Sequence, residues 1–225
     1  MTTRAMLTMA ALAVSLTAGT LWAGETYEAS LKAGDELRTA GNFEGALAEY
    51  SAAVGQALDE TQTSLAWGKQ GWVQAFDLKN YPAAREAATK ALAVQGAGAV
   101  ARVMALQVMA ECLMKADQDF AGASAQLEEA MKLEGVEWAS LDLNRAAGES
   151  YRLSGRAQEA IAALTKVAGM ANASAGVKAD ALLKIGFTYQ YGLKDAAQAK
   201  AAYAKAVALN PALKTEVAGH LAKLP

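Results

Sequence analysis

The chain has 225 residues, 53% hydrophobic and 20% charged, a balance that supports a buried core and excludes a disordered chain. Its formal net charge of −2 comes from 21 basic and 23 acidic residues, which excludes the basic footprint of a nucleic-acid binder. The single histidine and single cysteine exclude a disulfide framework and leave zinc hydrolysis and histidine-based acyl transfer without their parts.

In chain order, the first segment reads as a targeting sequence. Arg4 is the only charge before Glu25, and "AMLTMAALAVSLTAGTLWAG" between them is apolar. A positive start, an apolar centre and the small Ala23 predict a secretory signal peptide over 1–23. Export to a periplasmic or extracellular space follows, with an N-terminal membrane anchor as the alternative. No cysteine stands directly after the apolar run, which disfavours a lipid anchor.

From residue 25 onward the pattern is helical and repeats. Five segments align: "NFEGALAEYSAAV" (42–54), "NYPAAREAATKAL" (80–92), "DFAGASAQLEEAM" (119–131), "RAQEAIAALTKVA" (156–168) and "DAAQAKAAYAKAV" (195–207). Each has an alanine at its fifth place, Ala46, Ala84, Ala123, Ala160 and Ala199, spaced 37 to 39 residues apart. Four residues on stand Tyr50, Ala88, Leu127, Leu164 and Tyr203, and seven on stand Ala53, Ala91, Ala130, Val167 and Ala206. Offsets of four and seven share one helical face, so these residues are the expected core. Asn42, Asn80, Asp119 and Asp195 precede their helices as N-caps, Pro82 suits a first turn, and Arg156 has no capping role in this reading.

Each segment follows another helix. "SLKAGDEL", "WGKQGWVQ", "LQVMAECL", "NRAAGESY" and "LLKIGFTY" place Gly34, Gly71, Ala110, Gly148 and Gly186 in register. The unit is helix, turn, helix, over about 26–58, 62–97, 100–134, 139–172 and 177–211. The connection from the small residue to the anchor is one residue longer in units two, three and five. Gly186 is expected to face Ala199 across the fifth pair. Residues 212–224 form a last amphipathic helix, with Leu213, Val217, Leu221 and Leu224 inward, capping the array. Cys112, among Met109, Leu113 and Met114, is expected to be a buried, inert thiol.

These residues resemble the tetratricopeptide repeat, with W-x2-L-G-x2-Y in its first helix, A-x3-F and a further alanine in its second, and a closing proline. The fifth unit matches best, with Gly186, Tyr189, Ala199, Tyr203, Ala206 and Asn210-Pro211. The chain departs in its longer period and in keeping the family tryptophan only as Trp67. The resemblance implies an all-α, right-handed α-solenoid of about five helix pairs plus a capping helix. It also implies a concave groove, lined by first helices, that binds protein or peptide segments.

The groove face would carry Lys32, Asp35 and Arg38; Lys69 and Trp72; Gln107 and Glu111; Arg145, Glu149 and Arg152; Lys184, Phe187 and Tyr191. Mixed charge with a few aromatics suits a polar peptide with an apolar anchor, and Trp72 and Phe187 are the expected anchors. The family's clamp for a C-terminal carboxylate needs lysine and asparagine where this chain has Leu31 and Asp35, so that ligand is disfavoured. "GAGAVA" (96–101) matches a dinucleotide fingerprint only formally, because no strand precedes it. No catalytic, metal or cofactor site is expected. The sequence reads as a non-catalytic exported scaffold with a protein or peptide partner, no nucleic acid and no membrane insertion of the mature form. The alternative is an assembly subunit of a cell-envelope complex. The oligomeric state is not set by the sequence.

Overall fold

The computed structural model describes residues 26–225; the proposed signal peptide lies outside them. Among the described residues there are helices and no strands. Residues 26–39 form α1, followed by α2 (Phe43–Gln56), α3 (Glu60–Trp72), α4 (Tyr81–Ala93) and α5 (Ala99–Cys112). Then come α6 (Phe120–Met131), α7 (Ser140–Leu153), α8 (Ala157–Gly169), α9 (Ala175–Phe187), α10 (Ala196–Leu209) and α11 (Lys214–Leu221). None is long and apolar enough to cross a membrane. Two compact units divide the chain, one ending at Cys112 and the other running Leu113–Pro225.

The helices start where side chains satisfy their free N–H groups. Asn42, Asp119 and Asp195 accept from the N–H three residues on at 3.0, 2.8 and 3.0 Å, and Asn80 does so at 3.4 Å. Arg156 caps nothing with its side chain. Its guanidinium instead donates to Glu128 of α6 at 2.7 Å and to Glu159 at 3.1 Å, and lies over the Tyr151 ring at 4.4 Å. A tertiary clamp stands where the other second helices have a cap.

The repeated alanines are the core. Ala46, Ala84, Ala123, Ala160 and Ala199 are all 0% exposed, and the residues four and seven places on are buried with them. In the first unit, Ala46, Tyr50 and Ala53 pack with Tyr27, Leu31, Ala66 and Val73. In the second, Ala199, Tyr203 and Ala206 pack with Leu183 and Val217. Cys112 is buried, its thiol directed at the Tyr81 carbonyl at 3.6 Å.

Gly186 does not take Ala199 as its nearest neighbour. A Cβ there would overlap the Tyr203 ring, as one on Gly34 would overlap Tyr50 and one on Gly148 would overlap Leu164. The large residue four places after the anchor occupies the space that a side chain on the glycine would need. Pair two has Ala88 there, and a Cβ on Gly71 would make only ordinary contacts at 3.5 Å.

The extra residue of units two, three and five is wound into the first helix as a π-helical turn: Val73–Asp77, Leu113–Asp117 and Thr188–Leu193. Where it is absent, the N-cap N–H donates five residues back, from Asn42 to Leu37 and from Arg156 to Tyr151, both 2.8 Å. Where it is present, the bond reaches six back: Asn80 to Gln74, Asp119 to Leu113 and Asp195 to Tyr189, at 2.8, 2.9 and 2.9 Å. The left-handed residue before the cap is Gly41 or Gly155 in the short turns, but Lys79, Gln118 or Lys194 in the wide ones.

The last helix is shorter than expected. A 3-10 turn, Pro211–Leu213, precedes α11, which ends at Leu221. Val217 is buried with Leu213 and Leu224 packed beside it, as expected, but Leu221 is 37% exposed. His220 adds to the docking, its ring 4.5 Å from Phe187 and its backbone carbonyl accepting from Gln190 Nε2 at 2.9 Å.

Candidate peptide groove

In the first unit, α1 and the α3 segment are tied by charges one repeat apart. Lys69 Nζ lies 2.6 and 2.9 Å from the Asp35 carboxylate. The same carboxylate accepts from Tyr50 Oη at 2.7 Å. Arg38 donates through Nε to Asp77 at 2.6 Å, with a second contact at 3.4 Å. Asp77 closes the π-helical turn, so the inserted residue helps to position that acid. Burial, with the Asp35 hydrogen bond, pushes the Tyr50 phenol well above its ordinary range.

Trp72 is half-buried with its ring 4.4 Å from Phe76. On α5, Gln107 is buried and Glu111 half-buried. Burial raises the nearby Tyr81 phenol, and the charge of Glu111 adds to it. Lys32 is exposed and pairs only loosely with Glu36 of its own helix, at 3.8 Å.

In the second unit, Glu149 of α7 receives Arg152 at 2.7 and 3.1 Å and stands 4.0 Å from Lys184 of α9. Lys184 also pairs with Asp180 at 3.0 Å. Burial by itself raises the Glu149 carboxyl, but the Arg152 hydrogen bond and the Lys184 charge outweigh it and hold the group below the ordinary carboxylate range. Arg145 is exposed and touches only Asp142 on its own helix, at 3.3 Å. Phe187 is half-buried between Tyr203 and His220, and Tyr191 bonds His220 Nδ1 at 2.8 Å.

The candidates thus divide. Arg38, Lys69, Glu149 and Lys184 meet charges on the neighbouring first-helix segment. Phe187 and Tyr191 meet α11. Lys32 and Arg145 remain outward. Sequence reasoning missed Tyr50 and Asp77 as members. For Asp77 the signal was spacing, since it stands 39 residues after Arg38, one repeat, as Lys69 stands 34 after Asp35; Tyr50, 15 residues from Asp35, has no such signal.

No protein-family model and no curated protein matches the chain. Solved structures do match. One described as MamA protein superposes with a TM-score of 0.62 at 23% identity, covering 85% of this chain and 96% of that one. YrrB, described as a TPR protein with an unusual peptide-binding site, gives 0.63 at 22% identity, covering 87% and 91%. TTC0263, a TPR protein of Thermus thermophilus, gives 0.56 at 19% identity, covering 87% and 99%. The fold is tetratricopeptide-like. In this TPR-like chain the first-helix faces carry the charged and aromatic side chains described above.

Proposed function

We propose that the chain is a non-catalytic, exported scaffold that binds a protein or peptide segment along its first-helix faces. The observation that supports this most is the ladder of ion pairs between neighbouring first helices. Asp35–Lys69 and Arg38–Asp77 in one unit, and Glu149–Lys184 in the other, fix the spacing of the faces and neutralise their inner charges. Lys32, Arg145 and the half-buried Trp72 are left to meet a ligand. The peptide-binding site attributed to YrrB, on the same fold, is consistent with this use of the surface.

The test is in-cell crosslinking of the tagged chain, followed by identification of what it captures. Trp72→Ala together with Arg145→Glu removes one aromatic anchor and reverses one outward charge. Arg145 is exposed, whereas Trp72 also packs against the alanine core, so the thermal melt of the variant is recorded beside the capture; a folded variant loses its captured partner. Undiminished capture overturns the groove reading and favours assembly through edges of the molecule.

A further inference from the structure

Lys90 of α4 and Lys166 of α8 occupy the same place in their repeats, six residues after the anchor alanine. Their surroundings differ. Lys90 is held by Glu86 at 2.7 Å and sits over the ring of Trp67, 4.3 Å from its centre. In pair four the counterpart of Glu86 is Ala162 and the counterpart of Trp67 is Asn144. Lys166 therefore lacks the acid and the ring that its equivalent has. Asn144 does not fill the indole's place either. Its side chain is 6% exposed and turns back onto its own helix, donating to Ser140 O at 2.8 Å and to Ser140 Oγ at 3.3 Å.

A cleft of about 270 Å³ results, with Lys166, Asn144 and Glu137 among its lining and Met131, Val136 and Leu143 as apolar wall. This is the chemistry an indole requires. A cation can lie over the face, a polarizable thioether and branched side chains can flank the ring, and an oxygen of Asn144 or Glu137 can accept the ring N–H. The most exposed large hydrophobic side chain among the described residues stands beside it: Trp138, at 57%. Its neighbours Glu137 and Ser140 line the cleft, while Trp138 itself does not. Knob and hole thus come from one short segment, residues 137–140, and a two-fold axis can make such a segment self-complementary.

We propose that this cleft is a socket for an indole ring, filled by Trp138 of a second copy of the chain in a reciprocal two-fold pair. The inference is independent of the groove reading, which concerns other residues.

Sedimentation of the full chain over a wide concentration range tests it. The wild type forms a reversible dimer. Trp138→Ala removes the knob, and Asn144→Trp fills the hole as Trp67 does in pair two; each weakens the dimer by more than about a hundredfold. Mixing the two variants restores a heterodimer, because one chain keeps a hole and the other a knob. Should Asn144→Trp not fold, Lys166→Glu at an exposed position takes its place and weakens the dimer at least about tenfold. A wild type that stays monomeric overturns the proposal, as does a dimer unchanged in Trp138→Ala or in the socket variant. So does a monomer whose cleft takes N-acetyltryptophanamide, since the socket would then serve another chain.

Discussion

At the scale of single residues, the chain is built on glycine under a ring or a branched side chain. Gly186→Ala places a methyl group in the Tyr203 ring, which is buried and fixed by its hydroxyl bond to Gln190 at 2.6 Å. The expected loss is ~1–3 kcal/mol, read from urea unfolding. Gly71→Ala is the control, because its new methyl group meets only ordinary contacts and the helix gains up to about 1 kcal/mol in propensity. Equal effects at both positions would refute the ring-on-glycine account.

At the scale of elements, one insertion is handled the same way three times. The extra residue widens the end of the first helix to a π-helical turn, and the next helix still starts from an Asn or Asp cap. The core register survives because the added residue is absorbed before the cap. The cost falls on the left-handed position, where Lys79, Gln118 and Lys194 have φ of 57°, 56° and 58°. Lys194→Gly should therefore raise stability by about 0.5–1 kcal/mol, and Gly155→Ala, at φ 80°, should lower it by a similar amount. Thermal melts of the two variants check both signs.

At the scale of the whole molecule, buried phenols and held carboxylates set how stability varies with pH, and Glu149 is the most enclosed of the carboxylates. Burial pushes Tyr27 and Tyr151 up to about 12 from 10.0. An unfolded chain releases those protons near pH 10 and the folded one only higher, so stability falls as pH rises through that window. Tyr27→Phe should flatten the fall in melting temperature between pH 10 and 12. Glu149 works in the other direction. Its folded carboxyl lies below 4.5, so its contribution is complete above that value and is lost as pH falls through the lower one. Glu149→Gln should make the melting temperature less sensitive to acid below pH 4.5 and leave the alkaline limb unchanged.

The sequence by itself determined the helices, their caps and the buried stripe, because all three depend on neighbours within a few residues. The 3.6-residue period marked Ala46, Ala84, Ala123, Ala160 and Ala199, and a repeating period implied stacking. It also showed that three connections were one residue longer. Only the tertiary structure decided where that residue went, since a π-helical turn and a loop have the same length. Only it placed Tyr203 on Gly186, because partners across a helix pair depend on axial offset and not on spacing within a helix. It likewise joined Arg38 to Asp77, added His220 to the docking of α11 while leaving Leu221 exposed, and left a cleft beside Asn144. Each of these rests on the distance between segments far apart in the chain, which packing fixes and periodicity does not.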